Sequence, residues 1–275
     1  MLKQVIVLFY LLFYLWPAAA AENFAEKLNL AFQQGQSIPH FTHFNHTATV
    51  AEAYQAQREF VSLRQQNDTI AGYKAGLTST AGQQKFNVKE SLSGVLFVSG
   101  LVSDGAVVKL SNARKLMLET ELGFILAADI TAPLSEPGQL RPLVDSVAAV
   151  IELPDIGYHS PQQISGLDLI AANVAAHQYI IGDKLSLGEI SDINRLSTAL
   201  VREGQLQFKG SATDALGDQW QALFWLVNQL VAQGYHLAAG EMLITGALGP
   251  MVAAELGTYQ ADFGPLGQID FRVEP

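Results

Sequence analysis

The chain has 275 residues, 49% apolar and 15% charged, enough for one large packed core and too apolar for an extended disordered chain. Its net charge of −10 is spread without a basic run, which argues against a nucleic-acid partner. With no cysteine, disulfides, thiolate metal sites and a cysteine nucleophile are excluded.

The first residues carry the pattern of an export signal. Lys3 supplies one positive charge, residues 5–16 form an unbroken apolar and aromatic run, and Pro17 is followed by alanines at 18–21. The run is shorter than the roughly 20 residues of a bilayer span, and small residues before the cut suit signal peptidase. Residues 1–21 are therefore expected to be a cleaved signal peptide. The mature protein is expected to be exported, to the periplasm, without stable membrane insertion.

Residues 22–34 read as a helix, with Phe24, Leu28, Ala31 and Phe32 on one face and Gly35 at its stop. A second helix opens on the capping-box pair Thr49 and Glu52 and runs to about residue 64. Between them His40, His43 and His46 recur at spacing three. Pro39 marks that segment as a loop, and no carboxylate or cysteine completes a zinc set, so a structural role is the simpler reading.

After Asp68 short apolar runs alternate with Gly, Pro, Ser and Asp turns. Strands are expected at 70–77, 94–98, 107–110, 116–127, 146–153, 206–209, 242–246, 257–263 and 267–273. Helices are expected at 166–176 and 218–233, the latter stopped by Gly234. Many strands with few, late helices define an α+β domain at 69–275, preceded by a helical part at 22–68.

The strongest local sign of chemistry is Leu118-Glu119-Thr120-Glu121-Leu122. On a strand Glu119 and Glu121 project from the same face, about 7 Å apart at the backbone. Two carboxylates that close repel, and one pKa rises unless a cation lies between them. Oxygen ligands of this kind suit Mg²⁺, Mn²⁺ or Ca²⁺; solvated glutamates on an exposed face are the bland alternative. Glu152 ends the apolar run 147–153, with Asp155 as a competing carboxylate. Lys74, between apolar and glycine neighbours, reads either as a cleft residue or as an exposed strand lysine. The turn at Thr245-Gly246 offers backbone N–H groups suited to a carboxylate or oxyanion, or is a plain tight turn.

Taken in order, Gly72-Tyr73-Lys74-Ala75-Gly76-Leu77-Thr78, the Glu119-Thr120-Glu121 strand, Glu152 and Thr245-Gly246-Ala247-Leu248-Gly249-Pro250-Met251 resemble the 2-keto-4-pentenoate hydratases of the fumarylacetoacetate hydrolase superfamily. The likeness spans nearly all of the chain beyond residue 21, and the related 4-oxalocrotonate decarboxylases share the pattern. The resemblance implies a mixed β-roll with a small helical N-terminal part and a homo-oligomer. It implies Mg²⁺ or Mn²⁺ on Glu119, Glu121 and Glu152, with Lys74 as the active-site lysine. It implies that Thr245, Gly246, Ala247 and Leu248 line the pocket of a small 2-oxo or 2-hydroxy carboxylic acid. The expected reaction is metal-dependent hydration of a 2-hydroxy-dienoate. Alternatives are an exported protein that binds an oxo acid without turnover, a 2-oxo acid decarboxylase and a C–C hydrolase. The chain departs from the resemblance at Ser99, where an acidic residue is usual, at Ala172 and Ala175, where polar residues are usual, and at Asp218-Gln219, where His-Pro or Asn-Pro is common.

Overall fold

Three helices open the described part of the chain: α1 (Phe24–Gln33), α2 (Phe41–Phe44) and α3 (Val50–Arg64). The computed structural model describes residues 23–275, and the signal peptide expected at 1–21 lies outside them. The Asn23 side chain caps α1 by accepting from the Ala25 N–H. At α3 the expected capping box forms: Glu52 Oε2 accepts from the Thr49 N–H at 2.7 Å, and Thr49 Oγ1 accepts from the Glu52 N–H at 3.3 Å. Leu28, Ala53 and Phe60 on these helices share a core with Leu169 and Ile170. The N-terminal helices are thus packed onto the body of the protein.

The body holds strands β1 (Ile70–Gly76), β2 (Leu92–Phe97), β3 (Leu101–Val102), β4 (Val107–Lys109), β5 (Met117–Leu126), β6 (Val144–Leu153) and β7 (Gln178–Ser186). They are followed by β8 (Ser197–Arg202), β9 (Gln205–Ser211), β10 (Met242–Ile244), β11 (Val252–Ala253), β12 (Gly257–Asp262) and β13 (Gln268–Glu274). Helices α4 (Thr80–Lys85), α5 (Gly166–Ala171) and α6 (Gln219–Ala232) lie between strands. One sheet runs β2-β1-β10-β5-β6-β7-β3, with β11 added to β5; the other runs β4-β13-β12-β8-β9. Most neighbours are antiparallel, but β1–β10, β3–β7 and β4–β13 are parallel, so both sheets are mixed. A single core joins them, with Leu118, Leu122, Phe124 and Val147 of the larger sheet meeting Leu200, Ile269 and Phe271 of the smaller. This is the mixed β-roll expected from the sequence. Among the described residues no helix is long and apolar enough to cross a membrane.

Four strands, two short helices and part of a third helix differ from expectation: β3, β7, β8, β11, α2 and α4 lie outside the expected runs. β7 and β8 were not foreseen, because their runs are broken by Gly182, Asp183 and flanking polar residues; pairing with β6 and β12 makes them strands. The helix expected at 166–176 stops at Ala171. Asn173, Val174 and Ala175 all take left-handed φ, at 58°, 51° and 57°. The Asn173 side chain explains the stop: it accepts from the Val95 N–H at 2.7 Å and donates to the Val95 carbonyl at 2.8 Å, like one more peptide on the edge of β2.

Candidate active site

β5 and β6 pair with Glu119 directly opposite Glu152 and Glu121 opposite Val150. Directly opposed residues share a face, as do residues two apart on one strand. Register alone therefore gathers Glu119, Glu121 and Glu152, each with a carboxylate oxygen within 4.8 Å of the others. Glu121 and Glu152 are buried and Glu119 is partly exposed. Lys74 arrives from β1, paired with Ile244 of β10, which pairs with Gly123 of β5. Its buried ammonium donates to Glu152 Oε1 and, at 3.2 Å, to the Val174 carbonyl. The exposed-lysine and solvated-face readings both fail here.

The turn after β10 is stitched onto β5. Thr245 N–H donates to the Leu122 carbonyl at 3.2 Å, and Leu248 N–H donates to the Thr120 carbonyl at 2.7 Å. Between them the Gly246 N–H donates to Glu121 Oε2 at 2.8 Å. Gly246 has φ +110°, and a Cβ there would lie 2.4 Å from Thr78 Oγ1, so only glycine fits. The four turn residues do not all face one way. Leu248 belongs to the main core, Thr245 is fully buried, and Ala247 is partly exposed.

The other sequence candidates have structural partners. Asp155 is tied to Arg114 at 2.7 Å and accepts from the N–H groups of Arg114, Lys115 and Gly157. His40 is buried, 3.4 Å from Asp168, and accepts from the Ser160 N–H; among the described residues the only cluster of three or more histidine or acidic side chains placed to hold a metal ion is the glutamate trio. Ser99 is exposed and bonded to Asp68, while Ala172 and Ala175 are buried. The Val174 carbonyl was not foreseen. Its reach depends on three left-handed residues, a conformation that only the tertiary contacts of Asn173 impose.

The electrostatics follow from burial. Burial pushes the Glu119 carboxyl up to about 7, with the Glu152 charge adding to the rise and Lys74 opposing it. Burial and the neighbouring charges of Glu152 and Glu119 hold Glu121 well above the usual range, against the Gly246 N–H. Burial alone would lower Lys74; the three carboxylates outweigh it and keep the ammonium above its ordinary pKa. The cluster is chemically suited to a divalent cation: hard oxygen donors, more negative than positive charge, and one buried oxygen, Glu152 Oε2, without a hydrogen-bond partner.

These shifts predict the pH dependence of stability. Glu119 and Glu121 have raised folded pKa values, so the folded state binds more protons than the unfolded one above the ordinary value of 4.5. The contribution of Glu119 is therefore greatest below about pH 4.5 and is lost as pH rises through about 7, and that of Glu121 is lost in the same direction. Thermal unfolding in a chelator should show stability falling between pH 5 and 8 through these groups. Cation affinity should rise over the same interval, because ligands must be deprotonated. A cation affinity independent of pH would contradict this account.

Fold and site together define a protein of the fumarylacetoacetate hydrolase type, and solved structures agree. The chain superposes on 4-oxalocrotonate decarboxylase from Pseudomonas putida G7, complexed with magnesium and adipate, with TM-score 0.86 and 26% identity over 91% of this chain and 96% of that one. A fumarylacetoacetate hydrolase family protein from Yersinia pestis shares the fold alone, at TM-score 0.58 and 11% identity over 76% and 94% of the two chains. No family model matches the chain. It is 31% identical over 219 residues to the 2-keto-4-pentenoate hydratase of Burkholderia vietnamiensis, covering 79% of this chain and 83% of that protein. It is 30% identical over 250 residues to the hydratase of Paraburkholderia phymatum, covering 90% and 95%. The chain belongs to the 2-keto-4-pentenoate hydratase family of the fumarylacetoacetate hydrolase superfamily.

Proposed function

We propose that the protein is a divalent-metal-dependent hydro-lyase that adds water to a 2-hydroxy-dienoate of the 2-keto-4-pentenoate type. The observation that carries the reading is the convergence of Glu119, Glu121 and Glu152 on one face beside a buried Lys74. In this reading the three glutamates hold Mg²⁺ or Mn²⁺. Bound there, the cation supplies Lewis-acid stabilisation of negative charge on a 2-oxo acid. Lys74 is the proton-handling group. The three carboxylates raise its pKa against burial, and a cation that neutralised their charge would work against that rise. Gly246 N–H orients Glu121, and partly exposed Glu119 and Ala247 mark the side from which a small acid reaches the cluster.

A second reading, decarboxylation of a related 2-oxo acid, is favoured by the superposition on the decarboxylase, whereas apolar Ala172 and Ala175, at places where hydratases usually carry polar groups, favour binding without turnover. Residues 1–21 support export to the periplasm, and the family likeness supports a homo-oligomer.

The purified mature protein should consume the ultraviolet absorbance of 2-hydroxypenta-2,4-dienoate with Mg²⁺ or Mn²⁺, and a chelator should stop it. Release of CO₂ from 4-oxalocrotonate without dienoate turnover would move the assignment to the decarboxylase. Cation and oxo-acid binding without either reaction would leave a binding protein.

A further inference from the structure

We infer that Gln219 is a positioning residue of the candidate cation site: it holds Thr245 so that the Gly246 N–H stays on Glu121. The inference rests on the cation-site reading above and extends it to a helix that does not itself carry a carboxylate of the cluster.

Gln219 is the first residue of α6 and is wholly buried. A buried amide costs stability unless both ends are bonded, and here both are. Its Oε1 accepts from Thr245 Oγ1 at 2.5 Å, and its Nε2 donates to the Ala212 carbonyl at 2.6 Å. Its backbone N–H donates to Asn194 Oδ1 at 2.8 Å, and Asn194 in turn donates to Asp218, the N-cap of α6. The amide is therefore clamped between the segment after β9, the loop at 194 and the helix start, and it can hold a partner in place rather than follow it.

That partner is Thr245, also wholly buried. Its hydroxyl lies 3.3 Å from the Leu122 carbonyl as well, but the shorter bond is to Gln219. The next residue is Gly246, at φ +110°, whose N–H meets Glu121 Oε2 at 2.8 Å. A glycine has no Cβ to fix its peptide, and its N–H direction is set by the peptide it shares with Thr245. The path from Gln219 through Thr245 and Gly246 to Glu121 is an unbroken series of one side-chain bond, one peptide link and one N–H···carboxylate bond. A leucine at 219 would fill a similar volume but leave the Ala212 carbonyl and the Thr245 hydroxyl without these bonds, so what distinguishes the amide is its bonding rather than its bulk. Outer partners of this kind, when removed, typically cost 10- to 100-fold in metal affinity.

The test is calorimetric titration of Mn²⁺ into the full protein and its variants. Gln219→Leu and Thr245→Val should each weaken cation binding by roughly tenfold or more, and the double variant should be no worse than the poorer single, since both cut the same Thr245–Gln219 bond. Thr245→Ser keeps the hydroxyl and should bind as the wild type does. Asn228→Ala breaks bonds from the same helix to Leu134 and should lower the melting temperature without moving cation affinity. If Gln219→Leu does not fold, Thr245→Val and Thr245→Ser carry the comparison. Wild-type binding with unchanged affinity in Thr245→Val, or with fully additive losses in the double variant, overturns the inference alone. A wild-type protein that binds no cation overturns the site reading and the inference with it.

Discussion

Glu121→Gln is expected to remove nearly all turnover while leaving the fold intact. The amide oxygen can still accept from the Gly246 N–H, which now sits 2.8 Å from Glu121 Oε2, so the turn keeps its anchor. What is lost is one of three carboxylates in a largely buried cluster. If a cation on that cluster supplies several kcal/mol of transition-state stabilisation, weakening it should cost roughly 10³-fold in kcat/KM at fixed cation concentration. Stability should move the other way. Burial and the Glu152 and Glu119 charges penalise an ionised Glu121, so the metal-free variant should be more stable than the wild type at pH 8, and the difference should shrink at pH 5. Parallel measurement of turnover and of denaturant unfolding in a chelator checks both signs. Turnover within a few-fold of the wild type would remove Glu121 from the site.

Lys74→Met reverses the stability sign. The ammonium is the partner of Glu152, and both side chains are buried. Taking one partner from a buried ion pair typically costs about 3–5 kcal/mol, because the remaining charge is left without compensation. That loss should appear in the metal-free variant at neutral pH and should be largely repaired by Mg²⁺, since a cation compensates the same carboxylates. Turnover should not be repaired: loss of a proton-transfer group costs roughly 10²- to 10⁴-fold in kcat. Unfolding curves with and without Mg²⁺, set beside kcat at saturating Mg²⁺, separate the two effects. Equal stability of variant and wild type in the chelator would mean that Lys74 does not compensate the glutamates. Glu121 and Lys74 thus share a cluster but carry opposite stability costs, and only turnover should fall in both.

How far each residue could be read from the chain depends on the distance over which it acts. Glu119 and Glu121 are two apart, so an extended backbone alone puts them on one face. Glu152 could be named only as a charge ending an apolar run; β5–β6 register sets it opposite Glu119 rather than one place along, and a one-residue slip would turn it to the other face. Lys74 is brought close by β10, a three-residue strand drawn in from residue 242 between β1 and β5. Asp155 looked as good a ligand as Glu152 by position, yet Arg114 and three backbone N–H groups take its oxygens. Val174 gave no sign at all, and Gln219 stood out only as a departure from the family pattern, without a role. One acts through a carbonyl turned by left-handed backbone, the other through a hydroxyl 26 residues away.

The sequence by itself determined the elements with local causes: the capping box of α3, the stop of α6 at Gly234, most of the strands, and a same-face pair of glutamates. Each follows from bonds and repeats within a few residues. Only the tertiary structure decided that the pair becomes a trio, that a lysine from another strand lies against it, and that the end of α5 turns a carbonyl toward that lysine. Those depend on sheet order, strand register and buried polar contacts, which are set by packing between segments far apart in the chain.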